Sequence, residues 1–291
     1  MNYVLKNEQL EVVISSMGAE VRSVKRGGCE YIWQGGDERY WRGRTPLLFP
    51  ICGRLCEGKY TYGGKTYEMN LHGFARKMEL ECASASDTEL VFRLAACEAT
   101  RAIYPFEFAL TLTYRLEGAR LSLVAKIDNN GDTVMPATFG GHPGFNVPFD
   151  GQSDFSDWYL EFDEECEPDQ LEIAESGLQT GVFTAYDLRD RRILPLSHNL
   201  FQIDGIFMAR MARRVTLKSE KSDRRVTLDY PDMPYLGVWH DAQTEAPFVC
   251  IEPWCGLPDY DNRPLDFSKK AQMFRLAPNS SKSVGFDMIF E

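Results

Sequence analysis

The sequence predicts an all-β protein, a large antiparallel β-sandwich with few short helices. Three observations carry this. Apolar and polar residues alternate with a period of two from one end of the chain to the other. No segment carries an amphipathic helical pattern of three turns or more. No Pro/Ser-rich linker and no repeat of roughly 20–50 residues divides the chain, so residues 1–291 are expected to form a single domain.

The elements follow in order. Alternation begins with Leu10, Val12 and Ile14. Tyr60 to Tyr67 reads as a tight hairpin, YTY-GG-KTY, because Gly63-Gly64 supplies positive φ at no steric cost. Phe108, Leu110, Leu112, Tyr114 and Leu116 share one face of a long strand. Glu117-Gly118 turns the chain, and Leu121, Leu123, Ala125 and Ile127 answer on the return strand. Val215 and Leu217 face Val226, Leu228 and Tyr230 across the polar turn 219–225. Val284, Phe286, Met288 and Phe290 close the chain with a final strand. The acidic stretch 161–175, EFDEECEPDQLEIAE, reads as a solvated connection with room for one helical turn.

Composition excludes several classes of partner. The chain has 291 residues, 44% of them hydrophobic, enough for a substantial core. A formal net charge of −11 opposes binding to a phosphate backbone or an anionic membrane surface. No nucleic acid and no membrane partner is expected; a small neutral molecule fits. The N-terminus, MNYVLKNEQLEVVISS, has no basic region followed by an apolar run, so a cytoplasmic protein with reduced thiols is expected. Of the eight cysteines, only Cys52 and Cys56 are closely spaced. With no second Cys or His pair nearby, they do not read as a zinc site.

Four histidines are present: His72, His142, His198 and His240. His142 lies in GGHPGFN (140–146), backbone too rich in Gly and Pro for an ordinary strand interior. Such backbone points to a ring that is being aimed, with Phe145 and Asn146 placed to buttress it. His72 lies in NLHGFAR (70–76), also at a break between strands. His198 reads as an ordinary loop residue, and His240, beside Trp239, is left open. Glu252 ends the apolar run Pro247–Ile251 and precedes Pro-Trp. Desolvation there raises a carboxyl from its usual value of about 4.3 toward neutrality, which suits a general base. Arg54 follows LLFPICG, with Trp33 and Trp41 upstream. A guanidinium beside indole faces suits a sugar, though core tryptophans and a structural arginine read equally well.

Four segments occur in order: FPICGR at Phe49–Arg54, LHGFAR at Leu71–Arg76, GGHPGFNVP at Gly140–Pro148 and IEPWCGLPD at Ile251–Asp259. Together they resemble the aldose 1-epimerase (galactose mutarotase-like) superfamily, most closely its smaller bacterial branch. The resemblance implies a supersandwich with one open cleft, and cofactor-free interconversion of the α and β anomers of a hexose. It implies His142 as general acid and Glu252 as general base. It implies Arg54, His72, Asp204 (in LFQIDGIFM), Trp41 and Trp254 as substrate-binding residues. No cofactor and no metal is expected, and the chain is expected to act as a monomer or homodimer. Larger members continue the His142 motif with Thr/Ser-Tyr-Phe-Asn, where Pro143-Gly144-Phe145-Asn146 stand here, which leaves the sugar open. One alternative is a hexose-6-phosphate 1-epimerase, for which Arg42, Arg44, Lys59 and Arg76 are candidate phosphate contacts. Others are a non-catalytic sugar-binding or sensing protein, and a glycosidase, which needs a second carboxylate at a defined separation.

Overall fold

A computed structural model describes residues 1–149, 151–261 and 266–291. Two large antiparallel sheets carry the fold. The first has nine strands, in spatial order Ile193–Pro195, Trp158–Phe162, Arg214–Ser219, Ser222–Asp229, Ser280–Phe290, Arg120–Asn129, Phe108–Glu117, Glu89–Ala95 and Glu81–Ala85. The second has eight: Gln179–Ala185, Asp169–Ile173, Ile206–Ala209, Tyr235–Trp239, Phe248–Trp254, Gly140–Gly141 and Leu47–Leu48, with Gly144–Asn146 paired beside Phe248–Trp254. A four-stranded N-terminal sheet runs from Asn2–Lys6 to Cys29–Glu30. The longest α-helix among the described residues is Glu98–Arg101, in keeping with the expected scarcity of helix.

The alternating patterns fold as the sequence dictates. The Phe108–Glu117 and Arg120–Asn129 strands pair from Phe108↔Asn129 to Glu117↔Arg120, with Gly118 at positive φ in the two-residue turn. Their apolar faces are buried, and the final strand continues the face through Leu121↔Met288, Leu123↔Phe286 and Ala125↔Val284. The Lys59–Tyr62 and Lys65–Glu68 hairpin turns on Gly63-Gly64, both at positive φ. Arg214–Ser219 pairs with Ser222–Asp229. Tyr230 falls just past that strand and is fully buried.

The acidic stretch is not a solvated connection. Glu161 and Phe162 end a strand of the first sheet, and Asp169–Ile173 is a strand of the second. The composition hides the alternation: Leu171 is buried, while Glu172 faces solvent. The acids have cationic neighbours outside, Asp169 with Arg210 and Glu161 with Arg192 and Lys218.

The second sheet holds the feature that positions everything else. Gly140 pairs with Trp254, and Gly144 with Cys250, Phe145 with Val249 and Asn146 with Phe248. The same register carried through residues 141–143 sets His142 opposite Glu252. The backbone stays close there, since Ile251 N–H donates to the Pro143 carbonyl at 3.1 Å. Residues directly opposite across antiparallel strands have Cβ atoms about 4.5–5.5 Å apart. The glycines are there for close approach. A Cβ on Gly140 would meet the Trp254 indole at 2.8 Å, and one on Gly141 would meet the Phe286 ring at 2.6 Å. Gly141 therefore faces the nine-stranded sheet, and Gly140 the opposite side.

Gly141→Ala should therefore destabilise by about 1–3 kcal/mol, the usual cost of overpacking a filled core. Chemical denaturation checks this; an unchanged midpoint would mean that Phe286 moves aside freely.

Candidate active site

One cleft of about 280 Å³ opens on the second sheet, and Trp41, Arg54, His72, His142, Asp204, Glu252 and Trp254 all line it. All seven residues singled out in the sequence thus meet at one place. Arg76, Phe207, Trp239, Asp241, Ile173 and Gly177 line it as well.

His142 Nε2 lies 3.3 Å from Glu252 Oε2, with both side chains buried. Burial disfavours the charged form of each group. It holds the His142 imidazole down to about 3 and the Glu252 carboxyl well above the usual range, with Asp204 adding to the latter. The expectation that desolvation raises Glu252 thus agrees with its surroundings. The imidazole does not keep its ordinary value of about 6.5. In the sugar-free protein burial thus favours the neutral form of both groups.

The walls around the imidazole are aromatic. Trp41 stacks on it at 4.8 Å between centroids and 24° between planes. Trp239 and His72 present edges at 5.6 and 5.5 Å. Phe145 and Asn146 do not buttress it. Phe145 points into the core, and Asn146 donates to the Glu30 and Ile32 carbonyls. For Phe145 the strand pairing explains this, since odd and even positions point to opposite faces.

His72 is oriented by its own loop. Its residue sits at φ 63°, its N–H donates to the Gly53 carbonyl, and its Nδ1 accepts the Gly53 N–H at 3.0 Å. That bond fixes the proton on Nε2. Burial, with His142, Arg76 and Arg54 nearby, holds His72 neutral. Gly73 follows at φ 72°, where a Cβ would lie 2.1 Å from the Phe49 carbonyl oxygen. The loop bearing Arg54 is tied down by Asp259, whose N–H donates to the Arg54 carbonyl and whose Oδ2 accepts the Cys56 N–H. Asp259 pairs in turn with the buried Lys270 at 2.9 Å.

His198 and His240 lie outside the cleft walls and contact each other, Nδ1 to Nε2 at 3.0 Å. The His240 Nδ1–H donates to the Asp241 carbonyl at 2.8 Å, so its Nε2 accepts from His198. Among the described residues one group of potential metal ligands comes together: His142, Cys250 and Glu252, with ligand atoms within 4.8 Å of one another. Burial keeps the Cys250 thiol and the Glu252 carboxyl protonated, so a cation there would have to displace both protons. Cys52 is not part of that group; its thiol is buried beside Thr138. Among the described residues no helix is long and apolar enough to cross a membrane.

The aldose 1-epimerase family model matches residues 1–275. The chain belongs to the aldose 1-epimerase family. The chromosomal LacX protein of Lactococcus lactis subsp. lactis is 31% identical over 99% of both chains. A galactose mutarotase related enzyme of Lactobacillus acidophilus is 32% identical, with a TM-score of 0.95 over 100% of this chain and 97% of that one. A galactose mutarotase-like protein of Lactobacillus casei ATCC 334 is 29% identical, with a TM-score of 0.93 over the whole of both. The sandwich is therefore the galactose mutarotase-like fold, and the family supports an isomerase acting on a small sugar.

Sequence reasoning passed over Asp241, Phe207, Ile173 and Gly177 as cleft residues. A signal for the first lay in LGVWHD, where a polar pair follows an apolar strand. Phe207 lies three residues after Asp204. Ile173 and Gly177 sit in and just after the acidic stretch and carried no signal.

The buried histidines set a pH dependence. His240 is held at about 4 by burial, with its bond to Asp241 opposing and His198 adding. Its folded value is depressed, so its stabilising effect is complete above about pH 6.5 and is lost as pH falls toward 4, where the unfolded chain binds the extra proton. His240→Gln should flatten the fall in unfolding free energy over that window by up to about 1.4 kcal/mol per pH unit. An unchanged slope would contradict a buried neutral His240.

Proposed function

We propose that the protein is an aldose 1-epimerase that interconverts the α and β anomers of a hexose, with Glu252 and His142 moving the two protons. The observation that carries this reading is the cross-strand placement of carboxyl and imidazole, 3.3 Å apart in the wall of a sugar-sized cleft.

Anomerisation removes a proton from the C1 hydroxyl and delivers one to the ring oxygen. The C1–O5 bond opens, the aldehyde turns about C1–C2, and the ring recloses on the other face. One base and one acid suffice. The sugar-free pair holds the required single proton on Glu252. Moving it across the gap to His142 gives a carboxylate base and an imidazolium acid without any external reagent. Sugar hydroxyls favour that ionised form when the cleft is filled, against the opposing charge of Arg76 on the imidazolium. Glu252 then accepts the C1 proton while His142 protonates O5, and reclosure returns both. The two titrate as a coupled pair rather than separately. Each transfer is worth about 10²–10⁴-fold. In this reading His72 Nε2–H, Asp204 and Arg54 hold hydroxyls, and Trp41 and Trp254 meet the apolar side of the ring; their shared place in the cleft lining supports it.

One observation favours a second reading, a phosphorylated sugar. Of the four cations considered for phosphate, Arg76 lines the cleft, and its buried Nε has no hydrogen-bond partner among the described residues. Arg42 pairs with Glu38 on the surface, and Arg44 and Lys59 lie outside the cleft walls. Arg76, with Arg54 also in the cleft lining, offers an anion a cationic contact.

Glu252→Gln and His142→Asn should each lower kcat for anomer exchange, followed by polarimetry or NMR, by about two decades or more with the fold retained. Near-normal exchange in either would remove the assignment. Sugar binding by calorimetry without exchange in the native chain would favour a sensing role. On the phosphate reading, glucose 6-phosphate should be turned over with higher kcat/KM than glucose, and Arg76→Gln should erase that preference. Equal kcat/KM for the two sugars would exclude it.

A further inference from the structure

We propose that Asp241 is a positioning residue for His142, acting through Trp41: its carboxylate grips the Trp41 backbone so that the indole covers one face of the imidazole. The claim rests on the proton-transfer role given to His142 above.

Trp41 lies in a stretch, residues 33–46, with no helix or strand of its own, so its placement depends on point contacts. Two of them hold its own peptide groups. Asp241 Oδ2 accepts the Trp41 N–H at 2.6 Å, and the Trp33 indole N–H donates to the Trp41 carbonyl at 2.7 Å. The first is charge-assisted, the stronger kind. Asp241 comes from 200 residues further along the chain. Its own peptide is anchored from behind, where His240 Nδ1–H and the Thr244 hydroxyl both donate to its carbonyl, at 2.8 and 2.7 Å.

The grip has one destination. The Trp41 ring stacks on His142, stacks again on Phe248 at 5.9 Å and meets the edge of Trp239 at 5.7 Å. Its slot exists because Gly43 and Gly144 flank it; a Cβ on either would lie 2.3 or 3.0 Å from the indole. Glu252 and Cys250 face His142 from the opposing strand, and His72 and Arg76 from the loop and turn at 71–77. Asp241 touches none of these directly. Its route to the imidazole is the indole, which excludes water from one ring face and fixes the ring plane against Glu252.

Two readouts test this, the first independent of turnover. In sugar-free protein, the His142 imidazole followed by NMR should titrate near 3 in the native chain and move toward about 6.5 in Asp241→Ala, because water reaches the uncovered face. Trp41→Leu should reproduce the shift, and the double variant should add nothing further. Asp241→Asn, whose amide oxygen still accepts the Trp41 N–H, should restore most of the native titration. In anomer exchange, Asp241→Ala should lower kcat by on the order of ten- to a hundredfold with a smaller change in KM. A His142 titration unmoved in both Asp241→Ala and Trp41→Leu overturns the proposal. So does a rise in KM alone, which would make Asp241 a direct sugar contact. Absence of exchange in the native chain would remove the epimerase reading and leave the titration arm to stand or fall separately.

Discussion

The site depends on one register. Phe248–Trp254 pairs with both halves of the Gly140–Asn146 segment, and that pairing sets His142 across from Glu252. Neither side chain has to be carried on a flexible loop, so the separation of imidazole and carboxyl is fixed by the backbone itself. A register slip of one residue would turn Glu252 to the other face of the sheet. The glycines around His142 are a consequence of this arrangement. Gly140 admits Trp254, Gly141 admits Phe286 of the facing sheet, and Gly144 admits Trp41. Gly237, opposite Glu252 on the other neighbouring strand, keeps that flank open, since a Cβ there would stand 3.2 Å from the Glu252 Cβ.

Burial follows from the same placement and determines the chemistry. Groups at the centre of a sheet, walled by Trp41, Trp239, Trp254 and Phe207, are removed from water. In such a setting the charged forms of carboxyl and imidazole are both costly, and the cheapest arrangement of their single shared proton is a neutral pair. An incoming polyol brings hydroxyl dipoles to a place that water does not fill in bulk. On the proposed mechanism, the ionised form needed for ring opening then gains support when substrate is present, which would couple binding to activation.

Much of this was legible in the sequence, for physical reasons. Period-2 alternation predicted the long hairpins because one face of each strand packs on the core and the other meets solvent. His142 and Glu252 stood out because Gly-Gly-His-Pro-Gly and a carboxylate ending an apolar run are both costly unless they serve a purpose. Their mutual distance was not legible, because it comes from pairing between strands about a hundred residues apart. The strand within the acidic stretch was hidden by composition: the outward positions carry the charge, and only Leu171 and Ile173 betray the inward face. The link from Asp241 to Trp41 was not legible, because it passes through a backbone N–H, and a backbone donor leaves no trace in residue type. The paired histidines His198 and His240 were likewise beyond reach, being brought together by tertiary packing alone.

The claim at the centre of this account is that His142 and Glu252 work as one proton-relaying unit. Groups that act as a unit lose their effects together rather than additively. The direct measurement is the rate of anomer exchange by magnetisation-transfer NMR in the native chain, in each single variant and in the double variant Glu252→Gln/His142→Asn. The account predicts a double variant no slower than the slower single one. Losses that multiply, with each group contributing independently of the other, would contradict it.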